Sequence, residues 1–148
     1  TLIPHSVAFK KQVIETDPRE KGLRKILNFG HTVGHAVESY FLNSPNRLFH
    51  GEAIAVGMIA EAYVAESKKM ITRTELEEIT ACLMQIYPKV SLPRSFDDVI
   101  KLMAQDKKNK GSKILMALTE GIGQARWDIE VSPAEIEDSL KYYQSVQT

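Results

Sequence analysis

Apolar residues recur at helical spacing along most of this chain. A short helix is predicted over Ser6–Thr16, and Asp17-Pro18 ends it because the residue before a proline avoids the α region. A long helix is predicted over Gly22–Leu42, where apolar positions recur every three or four residues. Gly30 and Gly34 fall inside it. Since a glycine costs a helix about 1 kcal/mol relative to alanine, the two indicate close approach by another backbone or by a ligand.

The most apolar segment is a second long helix, predicted over His50–Met70. It is apolar on nearly every face as far as Ala65, which is typical of a helix buried at the centre of its bundle. Capping signals and periodicity predict further helices at Thr72–Tyr87, Ser95–Gln105 and from Ser132-Pro133 onward. Two short runs, Lys113–Leu118 and Gly123–Ile129, predict a β-hairpin. The fold class is therefore mainly α, one multi-helical domain over residues 1–148 with a small β-hairpin.

Composition narrows the class of partner. The formal net charge is zero, which gives no overall field for binding nucleic acid or an acidic membrane. No apolar run reaches the roughly 20 residues that span a bilayer, and the N-terminus lacks a signal-peptide pattern. We therefore expect a cytoplasmic protein. The single cysteine, Cys82, excludes an intrachain disulfide and is expected to be a small buried hydrophobe. The start at Thr1 suggests a domain cut from a longer protein.

Three of the four histidines lie close together in the sequence. His31 and His35 are four residues apart, so both project from one helix face, and His50 opens the next predicted helix. A short loop between antiparallel helices could bring His50 beside them. Such a group suits a catalytic divalent metal that keeps one position open; the alternative is a set of capping or core histidines. Glu38 and Glu52 could orient an imidazole, or could be ordinary helix glutamates.

Arg24 and Asn28 extend the same predicted face by one turn toward the N-terminus. A guanidinium binds carboxylate or phosphate with two parallel hydrogen bonds, and an asparagine amide both donates and accepts. The stripe that leads into His31 therefore favours an anion-binding site. The alternative is a solvated helix face that also carries Lys21 and Lys25.

A lysine-rich loop follows the fifth predicted helix. Asp106–Gly111 has three lysines in four positions, which is usual for a solvated turn but would also allow a lysine to close over an anionic ligand. It lacks the glycine spacing and the following Ser or Thr of a phosphate-binding P-loop. The chain also has no G-x-G-x-x-G dinucleotide fingerprint.

Four motifs together resemble the 3-dehydroquinate synthase family. They are G-L-R at 22–24, N-F-G-H-T-V-G-H-A-V-E at 28–38, H-G-E-A-I-A-V-G-M at 50–58 and D-K-K-N at 106–109. The resemblance covers essentially all 148 residues, but only the C-terminal helical domain of the family. It implies a phosphate-eliminating carbon–oxygen lyase of the shikimate pathway of aromatic amino acid biosynthesis. The implied reaction converts 3-deoxy-D-arabino-heptulosonate 7-phosphate to 3-dehydroquinate, with NAD as transient oxidant, zinc or cobalt as metal, and a homodimer as assembly.

The resemblance also implies roles for individual residues. The metal ligands would be His31 and His50. The other residues would contact the substrate. His35 would lie near the leaving phosphate, and the carboxylate and phosphate would be held by Lys10, Arg24 and Asn28. Lys107 would reach the substrate anion, and Glu20 would lie near the same site.

Part of the family's machinery has no counterpart in this sequence. Its third metal ligand is a glutamate upstream of the position of Lys10, and its NAD-binding α/β domain is N-terminal. We therefore expect the chain alone to be inactive and to hold metal weakly through His31 and His50. The alternatives are a related sugar-phosphate cyclase and a non-catalytic helical assembly module. A metal-dependent alcohol dehydrogenase is more distant, because the G-H-T-x-G-H-A and H-G-E-A runs argue against it.

Overall fold

The computed structural model describes residues 1–105 and 113–147. The α-helices are α1 (Leu2–Thr16), α2 (His31–Phe41), α3 (His50–Ser67), α4 (Arg73–Ile86), α5 (Asp97–Gln105) and α6 (Pro133–Ser145), with a 3-10 helix at Leu23–Asn28. Strands β1 (Ile114–Thr119) and β2 (Ala125–Val131) form an antiparallel hairpin. The predicted mainly α fold with one hairpin is confirmed. Within the described ranges no helix combines the length and the apolar character needed to cross a membrane.

Helix α3 lies at the centre of the domain. It contacts α2, α4, α6 and β1, and its buried residues point to all sides of the helix. This confirms the interpretation of an apolar pattern without a polar face. The helix ends at Ser67, three residues before the predicted end, and Lys69 then adopts a left-handed φ of 60° that no α-helix continues.

The prediction of one continuous helix over Gly22–Leu42 is wrong. The chain forms the 3-10 helix, turns at Gly30 with φ of 82°, and only then begins α2 at His31. The left-handed region is open to glycine without a Cβ penalty. The periodicity continued through the turn, so the sequence pattern alone could not show the break.

The glycines of this region allow two helix backbones to touch. A Cβ added at Gly57 of α3 would lie 1.9 Å from the carbonyl oxygen of Gly30, and one at Gly34 would lie 3.0 Å from the carbonyl oxygen of Ala53. The close approach expected from Gly30 and Gly34 is therefore that of the α3 backbone.

Local capping defines several helix ends. At α4, the Thr72 hydroxyl accepts the Glu75 amide at 3.2 Å, and the Glu75 carboxylate accepts the Thr72 amide at 2.7 Å. Ser132 and Glu135 form the same reciprocal pair at α6, with Pro133 in the first turn. Both predicted starts are confirmed, because they depend on residues three positions apart.

The start of α1 and the exposure of Cys82 differ from the sequence predictions. Helix α1 begins at Leu2 rather than Ser6; Pro4 is tolerated there because amides of the first turn have no helical partner. Cys82 is exposed, not buried, because α4 turns the face carrying Leu76 and Thr80 toward the core.

Candidate metal and substrate site

The three clustered histidines come together where α2 and α3 begin. The ring centroids of His31 and His35 are 5.2 Å apart, and that of His50 lies 5.9 Å from His31 and 5.7 Å from His35. One ring nitrogen from each lies within 4.8 Å of the others. The antiparallel contact of α2 and α3 thus gathers residues that are nineteen positions apart in sequence.

Two of the three imidazoles are oriented through their Nδ1 atoms. His31 Nδ1 lies 3.2 Å from the carbonyl oxygen of Phe29, and His50 Nδ1 lies 3.1 Å from Oε2 of Glu38. A carbonyl or carboxylate oxygen accepts only, so Nδ1 is the donor in each contact, and the tautomer that this contact selects for a neutral imidazole has its lone pair on Nε2. This is the usual arrangement around a metal-binding histidine. Of the two glutamates considered from sequence, Glu38 meets a histidine, whereas Glu52 caps α3 by accepting the Phe49 amide at 2.8 Å.

The donor set fits a divalent transition metal. Zinc binds histidine nitrogen at about 2.1 Å, and two such nitrogens on a tetrahedral ion are about 3.4 Å apart. The observed limit of 4.8 Å is about 1.4 Å wider than this, so a bound metal would draw the imidazoles closer together. His31 and His35 are half-buried and His50 is exposed, so one side of the cluster is open to a further ligand.

A cavity of about 330 Å³ adjoins the cluster. Its lining combines polar side chains of the 3-10 helix and α2 with the β-hairpin: Glu20, Lys25, Asn28, His31, Thr32, His35, Leu115, Met116, Ala117, Trp127 and Asp128. Lys25 Nζ donates to both carboxylate oxygens of Asp128, at 2.7 and 2.9 Å. This gives the cavity a cation held by a partly exposed ion pair, 30% and 49% accessible.

The amide of Asn28 is fixed from within the cavity. Its Nδ2 donates to Glu20 Oε1 at 2.7 Å, which leaves the Asn28 carbonyl oxygen and a second N–H for a ligand. Glu20 and Asp128 both have left-handed backbones, with φ of 53° and 56°. Non-glycine residues in this region are uncommon, and such strain often occurs at binding sites.

The predicted polar stripe is only partly assembled. Because α2 starts at His31, Arg24 and Asn28 do not continue its helical face. The Arg24 guanidinium donates to the Pro18 carbonyl at 2.9 Å instead. Lys10 lies on the exposed surface of α1. Neither is among the residues that line the cavity. Lys107 and the rest of the Asp106–Gly111 loop lie outside the described residues.

Sequence reasoning missed two features of the site. The sequence indicates Lys25 only as part of a solvated helix face. Its partner Asp128 lies 103 positions away, so no local pattern in the sequence predicts this ion pair. Glu61 is fully buried in α3 and binds amides at the start of α2. Burial raises the pKa of Glu61 to about 8, although hydrogen bonds from the Val33, Gly30 and Thr32 amides act in the opposite direction. The available signal was an acidic residue, Glu61, inside the otherwise apolar run from Ala53 to Ala65 of α3.

Sequence comparisons with known proteins all indicate the same family. Residues 1–109 match the family model described as 3-dehydroquinate synthase C-terminal. The 3-dehydroquinate synthase of Parabacteroides distasonis is 35% identical over 144 residues, covering 97% of this chain and 41% of that protein. The enzyme of the same name from Desulforamulus reducens is 38% identical over 129 residues, covering 86% of the chain and 35% of its own length. The chain thus spans about two fifths of the curated relatives.

Solved structures support the fold. A 2-deoxy-scyllo-inosose synthase complexed with carbaglucose-6-phosphate, NAD+ and Co2+ superposes with a TM-score of 0.79 at 24% identity, covering 95% of this chain and 39% of that one. ValA, a 2-epi-5-epi-valiolone synthase from Streptomyces hygroscopicus subsp. jinggangensis 5008 with NAD+ and Zn2+ bound, gives 0.72 at 26% identity, covering 90% and 36%.

Proposed function

The chain belongs to the 3-dehydroquinate synthase C-terminal family, and from this premise we propose that it is the metal- and substrate-binding part of a 3-dehydroquinate synthase. The proposed reaction converts 3-deoxy-D-arabino-heptulosonate 7-phosphate to 3-dehydroquinate and phosphate. The observation that carries the proposal is the pair His31 and His50, each with Nδ1 held by an oxygen and Nε2 left for a metal. The names of the curated relatives support the choice of reaction.

His31 and His50 are the proposed metal ligands. A bound zinc or cobalt ion would supply Lewis-acid polarisation of substrate oxygens. Glu38 would support His50 as a ligand, since a carboxylate that accepts from Nδ1 fixes the orientation of the ring and turns Nε2 toward the metal. The Phe29 carbonyl would orient the His31 ring in the same way.

His35 is the proposed contact of the leaving phosphate. It lines the same cavity as Asn28 and Lys25, so a phosphate there would meet an imidazole, an amide and an ammonium group. Asn28 is oriented for this by Glu20. Lys25 would exchange Asp128 for the phosphate, which is possible at low cost because a partly exposed ion pair is worth about 0–1 kcal/mol. Arg24, Lys10 and Lys107 stay predictions as substrate contacts.

The cofactor and the remaining ligand would come from sequence beyond this chain. The chain spans 41% of the Parabacteroides enzyme, and NAD and a glutamate ligand are assigned to the remaining part. On this proposal the 148-residue chain alone does not complete the reaction.

A chimaera tests the assignment. The chain would be joined to the N-terminal part of the Parabacteroides distasonis enzyme, and phosphate release and retained zinc would be measured together. We expect His31→Ala to abolish both. The matched control is His5→Ala, which removes an exposed histidine of α1 and should leave both unchanged. Full activity of the His31→Ala chimaera would refute the proposed site.

A related sugar-phosphate cyclase is the second candidate. The observation that favours it is the position of Arg24, which binds the Pro18 carbonyl and does not line the cavity; the argument for a carboxylate-bearing substrate is weaker without it. The structural neighbours include synthases of that type by name. A panel of sugar phosphates with and without a carboxylate, offered to the same chimaera, separates the two candidates.

A further inference from the structure

Glu61 is an unusual residue for the centre of this domain. Its exposed fraction is 0%, and among the described residues the other buried polar side chains are the uncharged Thr80 and Ser139. A carboxyl group without partners would be costly in such a place. Its partners therefore show why the helix carries it.

Both carboxyl oxygens of Glu61 point at the start of α2. Oε2 accepts the Gly30 amide at 2.6 Å, and Oε1 accepts the Val33 amide at 3.0 Å. The Thr32 amide interacts with the same carboxyl group. The first amides of a helix have no partner within the helix, and no side chain of the cap residue, Gly30, can supply one. Glu61 thus caps α2 from a neighbouring helix.

The capped turn carries His31. The residue lies between the two amides that Glu61 binds, and its Nδ1 is oriented by the carbonyl of Phe29, the residue before Gly30. A shift of the turn would move the His31 imidazole and the oxygen that sets its proton position together. His50 begins α3, the helix that carries Glu61. The carboxyl group therefore ties the backbone that carries one histidine to the helix that carries another.

We propose that Glu61 is a positioning residue that sets the distance and direction between His31 and His50 by holding the Gly30–Val33 turn against α3. The metal part of this inference rests on the proposed metal site. The positioning role does not rest on that site, because it concerns the arrangement of two histidines in the metal-free protein. Glu61 lies outside the residues lining the cavity, so it acts only through the turn.

Replacement of Glu61 by glutamine tests the acceptor pair without making a cavity. Glutamine has nearly the same size, but its NH2 group only donates, whereas the second oxygen of the carboxyl group can accept an amide N–H whether or not the group is protonated. Leu76→Ala is the matched control, because Leu76 is also fully buried but lies in α4, a helix that carries none of the three histidines. Any effect of general destabilisation should appear in both variants.

The measurements use the 148-residue chain. Ring 1H–15N spectra report the surroundings of each histidine without metal, and Co2+ titration with its visible absorption reports affinity and coordination geometry. Far-ultraviolet circular dichroism establishes that each variant is folded. We expect Glu61→Gln to shift the His31 ring signals, to weaken Co2+ binding by at least about tenfold, and to change the absorption band. Leu76→Ala should change neither.

The outcomes separate the two proposals. Unchanged His31 signals and unchanged Co2+ binding in folded Glu61→Gln would overturn the positioning role. So would complete loss of the fold in that variant, because Glu61 would then serve stability in general. If the unsubstituted chain and its chimaera bind no Co2+, the proposed metal site fails; a His31 shift in Glu61→Gln alone would still support the positioning role.

Discussion

The contact between α2 and α3 allows a sharp prediction for Gly57→Ala. The added Cβ would lie 1.9 Å from the Gly30 carbonyl oxygen and 2.6 Å from the Gly34 amide nitrogen, whereas real Cβ contacts are at least 3.0 Å. The helices would have to separate by about 1.1 Å. Both clashing groups are backbone, so no side chain can rotate away.

The cost of this separation should exceed the usual penalty for overpacking. Overpacked cores lose about 1–3 kcal/mol, and alanine returns at most about 1 kcal/mol of helix propensity. Because the whole interface must shift, we expect a net loss of about 3–5 kcal/mol, a large part of the roughly 5–15 kcal/mol that stabilises a domain. Separation would also move His50 away from His31, so Co2+ binding should weaken in the folded fraction.

Urea denaturation followed by circular dichroism measures the loss. Gly51→Ala is the matched control in the same helix, because its Cβ would meet Tyr87 at an ordinary 3.5 Å. It should be neutral or stabilising by up to about 1 kcal/mol. If Gly57→Ala is within about 0.5 kcal/mol of the unsubstituted chain, the close backbone contact is refuted.

Three further predictions concern Glu61, Thr72 and Lys25. The pKa of the Glu61 carboxyl group is about 8 in the folded chain, against a usual 4.5. The folded state therefore binds a proton that the unfolded state releases. The contribution of this proton to stability is fully present below about pH 4.5 and is lost as pH rises through 8, by at most about 1.4 kcal/mol per pH unit. Urea denaturation across this range should show a steeper loss of stability for the unsubstituted chain than for Glu61→Gln, and equal slopes would contradict the raised pKa. Thr72→Ala removes the acceptor of the Glu75 amide and should cost about 0.5–2 kcal/mol by the same assay, with no change in Co2+ affinity. Lys25→Ala should raise the KM of the chimaera for its phosphorylated substrate. Lys21→Ala is the control and should leave the KM unchanged, because Lys21 is exposed and does not line the cavity. Equal KM values for the two variants would argue against Lys25 as the phosphate contact.

Several features of the fold follow from interactions within four residues. The starts of α4 and α6 were predictable because Thr72 and Ser132 each pair with a glutamate three positions later. The buried centre of α3 was predictable because its apolar residues cover every face. The β-hairpin was predicted to within two residues at all four strand ends, since turn residues separate two apolar runs.

The candidate site was predictable only in part. His31, His35 and His50 were identified from their types and spacing, and the structure places them together. The match to family motifs also named Asn28 and Glu20, which the structure joins by a hydrogen bond in the cavity. Arg24 was predicted to share one helix with His31, whereas it lies in the 3-10 helix before the turn at Gly30, because periodicity cannot show that Gly30 turns the chain.

The sequence by itself therefore determined the starts of α3, α4 and α6, the central position of α3 and the family, because capping, periodicity and contiguous motifs are local in the chain. Only the tertiary structure decided the break before α2, the burial of Glu61 against the Gly30 amide and the pairing of Lys25 with Asp128. The last two join residues 31 and 103 positions apart. Such contacts depend on how whole helices and the hairpin are packed, and a local pattern carries no record of the partner.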